Sequence, residues 1–385
     1  KKQGDWAFAM GINRFIYHTF AHKSFFDNLR PGMTMGPYGV HWDRGQTWWP
    51  MAGAYHRYVS RCQFLLSQGR TVADILYLAP EGAPHVFRPP ASALEGTAWL
   101  PDKRGYAFDG CSPTALIELA SVRDGRIVFP GGASYRILVL PAVETMTPEL
   151  LDKIGTLVRD GAFVAGPPPR KSPSLENYPE CDRRVKDMAS DLWGGSDAPP
   201  QTAVRNVGKG RIVWGGEVHR TAASEIYPPY GIVAALLARD GITPDFTSSG
   251  AFRYTHRTLP EREVYFVSNR ADLTVTETCV FRDGTGAAEL WDAVTGEIRL
   301  LSGRVRTDRG LSLDIRLEPY QSCFIVVGGN GLAAGGEDAG IPDFPDYRTV
   351  MTIGGPWSVA FDPQWGGPER IAFDRLEDWT KRPGT

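Results

Sequence analysis

The chain has 385 residues, a formal net charge of −2 and 22% charged side chains. That length is enough for two or three domains with full cores. With no basic block to hold a polyanion, nucleic acid is not an expected partner. Five cysteines, at positions 62, 111, 181, 279 and 323, are scattered without a CxxC pair, which argues against a disulfide framework and against a zinc site. No run of ~18 apolar residues exists, so nothing in the sequence is expected to span a membrane. Aromatic residues make up 11% of the chain and include 11 Trp, a content that suits sugar stacking and equally the cores of β-sandwiches.

In chain order, residues 1–10 read as the end of a helix (Trp6, Phe8, Met10) stopped by Gly11. The apolar alternation over residues 12–17 predicts a strand, and a long loop rich in Gly, Pro and aromatics follows to Pro50. A helix is predicted from about Ala52, with Tyr55, Tyr58, Val59, Cys62, Leu65 and Leu66 at helical spacing. Strand, rich loop and helix form the unit of a (β/α) barrel, whose chemistry sits on loops after the strand C-termini. A last barrel strand without its neighbours cannot stand alone, so residues 1–71 read as the end of a barrel and the chain as an internal piece of a longer protein.

Over residues 72–245 strands and helices alternate. Strands are expected at 72–78, 135–141, 162–166 and 211–215, and helices at 113–122, from Thr147 to Gly161, and at 232–239. Thr147 is a suitable N-cap and Pro148 suits the first helical position. Such alternation implies a parallel sheet with helices on both faces. From 246 to 328 seven short strands separated by Gly/Asp turns read as an antiparallel sandwich. Residues 329–342 are a linker by composition. The segment 343–385 carries Trp357, Trp365, Phe373 and Trp379 in a further β pattern, too short to close a fold by itself.

Among candidate functional residues, the loop side chains come first. His18 at the strand mouth and His41 could bond sugar hydroxyls, and Arg14 could point into the barrel or into its wall. Trp48 or Trp49 could stack on a pyranose ring. Each has a structural alternative: loop packing for the histidines, and a staple onto the next helix for the tryptophans. His18 and His22 are four apart, but at a strand end that spacing carries no metal-binding meaning. Glycosidases use two carboxylates, yet residues 1–80 contain no Glu, and only Asp27 and Asp43 lie in the rich loop. Asp43 is a weak candidate, to be weighed against an ion pair with Arg44 or a turn role. Cys111, Glu217 and His219 imitate a glutamine amidotransferase triad, but the elbow lacks its second Gly and the Glu–His order is reversed, so Cys111 reads as a packed thiol. The GKGR run from Gly208 lacks the P-loop spacing and reads as a hairpin turn.

The runs GINRFIYH from Gly11, PGMTMGP from Pro31, HWDR from His41, TWW from Thr47 and RCQFLLSQG from Arg61 resemble the end of the catalytic barrel of glycoside hydrolase family 106, which contains α-L-rhamnosidases. The resemblance implies a multidomain α/β plus all-β protein. Its parts would be the end of a (β/α)8 barrel, a flavodoxin- or amidotransferase-like α/β domain at 72–245, a β-sandwich at 246–328, and the start of a carbohydrate-binding-like jelly-roll at 343–385. It further implies inverting hydrolysis of rhamnosyl ends of plant polysaccharides or glycosides. Catalytic glutamates would lie upstream of Lys1, and calcium would assist in the full-length enzyme, with no metal site in this stretch. A secreted or periplasmic location is favoured for the full-length protein. A catalytically silent binding or scaffolding piece is the competing reading.

Overall fold

The computed structural model describes residues 1–18, 42–46, 48–83, 85–97, 101–219, 225–329, 343–344, 348–363, 367–378 and 381–382. Two compact units are distinguished, Lys1–Asp343 and Phe344–Thr385. Residues 330–342, read as a linker, lie outside the described residues.

Helix α1 (Lys2–Ala9) ends at Met10, and Gly11 follows with φ of 100°. Helix α2 (Ala52–Ser67) buries Ala52, Tyr58, Val59, Cys62 and Leu66, while Tyr55 and Leu65 of the predicted stripe stay partly exposed. Between them, residues 12–17 form no strand, contrary to expectation. A strand needs a ladder partner, because its backbone groups bond to a neighbouring strand rather than to their own segment. Here no strand of the described residues pairs with 12–17. The Phe15 N–H instead donates to Gln63 Oε1 at 2.7 Å, which ties the segment along α2.

A six-stranded sheet forms the α/β part. From one edge it runs Ala203–Val207, Gly210–Trp214, Phe163–Ala165, Ile137–Val139, Ile75–Leu78 and Phe108–Cys111. All neighbours pair in parallel except the first two, which form an antiparallel hairpin. Numbered along the chain, the parallel strands stand in the order 2-1-3-4-5 of doubly wound sheets. Both faces of the three central strands are covered, so Ile75–Leu78, Ile137–Val139 and Phe163–Ala165 are buried and apolar along their length. Leu76, Leu78, Leu138 and Val164 face α3 (Pro113–Leu119), α4 (Pro148–Asp160) and α5 (Glu180–Trp193). Ile75, Tyr77, Val139 and Ala165 face α6 (Gly216–His219) and α7 (Tyr230–Arg239). Helix α4 starts as its sequence requires: Thr147 Oγ1 accepts from the Leu150 N–H at 3.3 Å, and Pro148 follows. It stops at Gly161, whose φ of 127° is open to glycine and not to larger residues.

The rest of the first unit is an antiparallel two-sheet assembly. One sheet orders Arg70–Thr71, Phe252–Leu259, Arg262–Asn269, Ser322–Gly328, Ala288–Trp291 and Ile298–Leu300; the other orders Phe246–Thr247, Val275–Phe281, Gly310–Leu317 and Val305–Thr307. The central strands Arg262–Asn269 and Ser322–Gly328 are buried on both faces. Their Val264, Phe266, Phe324 and Val326 pack against Phe8 of α1 and Tyr58, Val59, Cys62 and Leu66 of α2. The opposite side chain Tyr265 meets Phe281 of the second sheet. Helix α2 is pinned further by Arg61 Nη1, which donates to Ala293 O (3.0 Å) and Val294 O (2.9 Å) in the turn closed by Gly296.

Ion pairs join the α/β part to the sheets. Asp74, fully buried, accepts from Arg136 Nε at 3.1 Å and from Arg282 Nη1 at 2.8 Å. Asp102, also buried, receives Arg253 Nε at 2.7 Å and Arg270 Nη1 at 3.0 Å. Behind Arg282 sits His256, fully buried, its Nδ1 3.0 Å from Asp245 Oδ1 and its Nε2 2.8 Å from Glu263 Oε2, with its ring stacked at 3.7 Å on Tyr265. The second unit shows one antiparallel hairpin, Trp357–Ala360 with Arg370–Phe373; Trp365 and Trp379 lie outside the described residues.

Candidate functional site

The end of the 11–18 segment, the end of the rich loop and the first turns of α2 meet in one cluster of rings. Trp42 is its centre. It stacks on Tyr55 at 5.4 Å with the planes 14° apart, lies 4.6 Å from His56 and 4.9 Å from Tyr17, and takes the edge of Trp48 at 5.0 Å. Local structure explains the convergence. Trp48 precedes a 3-10 turn, Trp49–Met51, that runs directly into α2 and carries Pro50 in its first turn. Tyr55 and His56 therefore project from the start of the helix, beside the incoming chain.

All five rings remain partly exposed, with Tyr17 37% exposed. Burial, with Tyr55 alongside, pushes the Tyr17 phenol up to about 12, and burial also raises Tyr55. Both phenols are neutral near pH 7 and can donate to, as well as accept from, a sugar hydroxyl. The cluster thus offers flat apolar faces with polar rims.

The residues singled out from sequence fall as follows. Trp48 belongs to the cluster, and Trp49 is half-buried in the 3-10 turn. Arg14 and His18 are exposed on the 11–18 segment. His22 and His41 lie outside the described residues. Asp43 is buried and shapes the turn: its Oδ1 accepts from the Gly45 N–H at 2.7 Å and its carbonyl accepts from the Gln46 N–H at 3.1 Å. That is the turn role rather than a carboxylate presented to solvent. Sequence reasoning missed Trp42, Tyr17, Tyr55 and His56 as a group. Trp42 stood within the HWDR run, whereas Tyr55 matched the buried stripe of α2 and was assigned to it.

Among the described residues the α/β part presents no amidotransferase triad. Cys111 ends one edge strand of the parallel sheet, whereas His219 and Glu217 follow the strand Gly210–Trp214, four strand positions away. At the usual strand spacing that is ~19 Å. Burial pushes the Cys111 thiol up to about 11, away from the thiolate. Doubly wound sheets bind ligands outside the strand C-termini where the strand order reverses, here between Ile75–Leu78 and Ile137–Val139. Protein groups fill that position: Tyr227 Oη donates to Leu78 O at 2.8 Å, and Glu81 accepts from the Thr147 N–H and Oγ1, both at 2.7 Å.

Among the described residues, one cluster could bring three metal ligands together, Asp245, His256 and Asp283. It does not fit calcium, which takes six to eight oxygens. Both nitrogens of His256 already face carboxylates, and Arg282 Nη2 stands 3.8 Å from Asp245. Arg282 and the protonated His256 already supply positive charge to these carboxylates.

Comparison with known proteins follows the same lines. Residues 1–304 match the family model for alpha-L-rhamnosidase, glycoside hydrolase family 106. A protein of Formosa agariphila named "Putative beta-glucuronidase" is 32% identical over 330 residues, which are 85% of this chain and 25% of that protein. The solved rhamnosidase of Novosphingobium sp. PP1Y superposes with a TM-score of 0.77 at 28% identity, over 99% of this chain and 34% of its own. The chain thus spans a quarter of the curated relative and about a third of the solved structure.

Proposed function

We propose, from the premise that this chain belongs to glycoside hydrolase family 106, the α-L-rhamnosidases, that it serves a longer enzyme removing terminal rhamnosyl groups from plant polysaccharides or glycosides. In this reading residues 1–71 end a (β/α)8 barrel, and the Trp42 cluster forms one wall of its sugar site. The cluster carries the proposal: stacked rings with exposed faces and neutral phenols suit a deoxysugar, which has an apolar face and a ring of hydroxyls. Arg14 and His18, exposed nearby on the 11–18 segment, and His41 would bond hydroxyls.

An inverting glycosidase needs an acid and a base roughly 6.5–9.5 Å apart with water between them. Residues 1–80 hold no Glu; of the two loop aspartates Asp43 is committed to its turn, and Asp27 lies outside the described residues. The catalytic pair is therefore assigned to the remainder of the longer protein. Any calcium is assigned there as well, since the Asp245 cluster does not suit it. The flavodoxin-like α/β part, the sandwich and the hairpin of the second unit, read as the start of a jelly-roll, would act as supports.

The test is kinetic. In the longer enzyme, Trp42→Ala and Trp48→Ala should raise KM for a nitrophenyl α-L-rhamnoside several-fold, since a ring stack is worth on the order of 1 kcal/mol. Unchanged KM in both variants would end the stacking claim. The 385-residue chain alone should release no nitrophenol; turnover near that of the longer enzyme would return Asp43 to the first rank. The same assay with a nitrophenyl β-D-glucuronide addresses the second substrate, which the 32% identity to the Formosa agariphila protein favours.

A further inference from the structure

A cleft of about 230 Å³ opens where the α/β part meets the first antiparallel sheet, and four arginines line it: Arg70, Arg126, Arg136 and Arg282. Two carboxylates share the lining, and both are engaged. Glu263 faces His256 and accepts from Thr258 Oγ1 at 3.1 Å, while Asp283 accepts from Arg282 Nε at 3.2 Å.

The arginines differ in what they do for the fold. Arg136 and Arg282 hold Asp74 and so clamp the two parts together. Among the described residues the Arg126 side chain bonds only Ser134, through Nε to Oγ (3.2 Å) and Nη2 to the carbonyl (3.1 Å). The Arg70 side chain makes no hydrogen bond or ion pair among the described residues and lies against Gly132, where an added Cβ would stand 2.4 Å from its Cδ. Nη1 of Arg126 and both Nη groups of Arg136 also have no partner among the described residues. Burial, with Arg136 and Arg282 nearby, lowers the pKa of Arg126. Asp74 stands between Arg136 and Arg282, while Arg70 and Arg126 line the same cleft with no carboxylate bonded to either among the described residues. Like charges sharing a cleft repel one another unless an anion joins them, and planar guanidinium forks match the geometry of an oxoanion.

We propose that this cleft binds an oxoanion, a sulfate or carboxylate group, between Arg70, Arg126 and Arg136, with the Ser134 and Thr258 hydroxyls at its rim. A second cleft of about 320 Å³ adjoins it, shares Arg126 and Arg136, and adds Lys209, Asp124 and an Arg211 that is paired with Asp240. That extension gives room for the body of a larger molecule carrying the anion, such as an acidic saccharide. Arg70 lies 15 residues beyond Tyr55, with α2 between them, so the site stands roughly 20 Å from the aromatic cluster. It is independent of the rhamnosidase reading.

The test is calorimetric titration of the 385-residue chain with sodium sulfate, against sodium chloride at matched ionic strength. Saturable sulfate binding that weakens at least tenfold in R70E and in R70Q/R126Q is expected. Arg70 is exposed and unpaired among the described residues, so R70E keeps the test meaningful if the double variant folds poorly. An oligogalacturonide binding tighter than sulfate would assign the anion to a saccharide; inorganic sulfate or phosphate binding tighter would assign it to a free ion. Either result supports the oxoanion site. No saturable binding by the parent chain, or equal binding by R70E, would overturn it.

Discussion

The imidazole of His256 offers the sharpest test of the fold. Its ring is fully buried, and burial alone would lower its pKa, but Asp245 and Glu263, one on each nitrogen, outweigh burial and raise it from 6.5 to about 9. Arg282 and Asp283 complete the charged surroundings, and Tyr265 covers the ring. That change in proton affinity is roughly 300-fold, or about 3 kcal/mol of coupling between folding and protonation. Because the folded pKa lies above the unfolded one, the stabilisation is complete below pH 6.5 and fades as the pH rises from 6.5 through 9. Chemical unfolding followed by near-UV circular dichroism at pH 6, 7.5 and 9 should show this loss. His256→Gln leaves two carboxylates without their cation and should cost about 3–5 kcal/mol near pH 6. Its deficit relative to the parent should shrink by about 3 kcal/mol at pH 9 and above. Nitrogen-15 NMR of the imidazole reads the same event directly. A ring titrating near 6.5, or parent and variant curves that run parallel across the range, would refute the clamp.

Other perturbations follow from the same packing. Gly208→Ala should destabilise by more than the usual ~1 kcal/mol for a glycine, because its φ is 59° and a Cβ would stand 2.5 Å from the Arg159 carbonyl oxygen; thermal unfolding measures it. Thr147→Ala removes the α4 cap and the bond to Glu81, and should cost about 1–2 kcal/mol in the same measurement. Cys111→Ser should leave rhamnoside turnover by the longer enzyme unchanged, since the thiol is buried and four strand positions from His219; a large loss of turnover in a folded variant would reopen the triad.

What the sequence determined by itself is local. Helix α4 begins and ends where Thr147, Pro148 and Gly161 dictate, and the apolar runs around Ile75, Ile137 and Phe163 became parallel strands because their neighbours in sequence cap, turn and alternate in recognisable ways, whereas α5, which follows Pro179 without a side-chain cap, went unread. The family, too, was legible, because its signature runs are contiguous. Tertiary structure alone decided the rest. Residues 12–17 carry a strand pattern but no ladder, since a strand exists only through a partner elsewhere. The stripe on α2 announced burial without naming what would cover it, which proved to be Val264, Phe266, Phe324 and Val326. Trp42 acquired its neighbours only when the loop returned to α2. The bond from Arg282 to Asp74 spans 208 positions, and the arginine cleft gathers Arg70, Arg126, Arg136 and Arg282 from segments far apart in the chain. Periodicity and capping report on residues within a few turns of each other, whereas charges and rings from distant segments meet only once burial has brought the elements together.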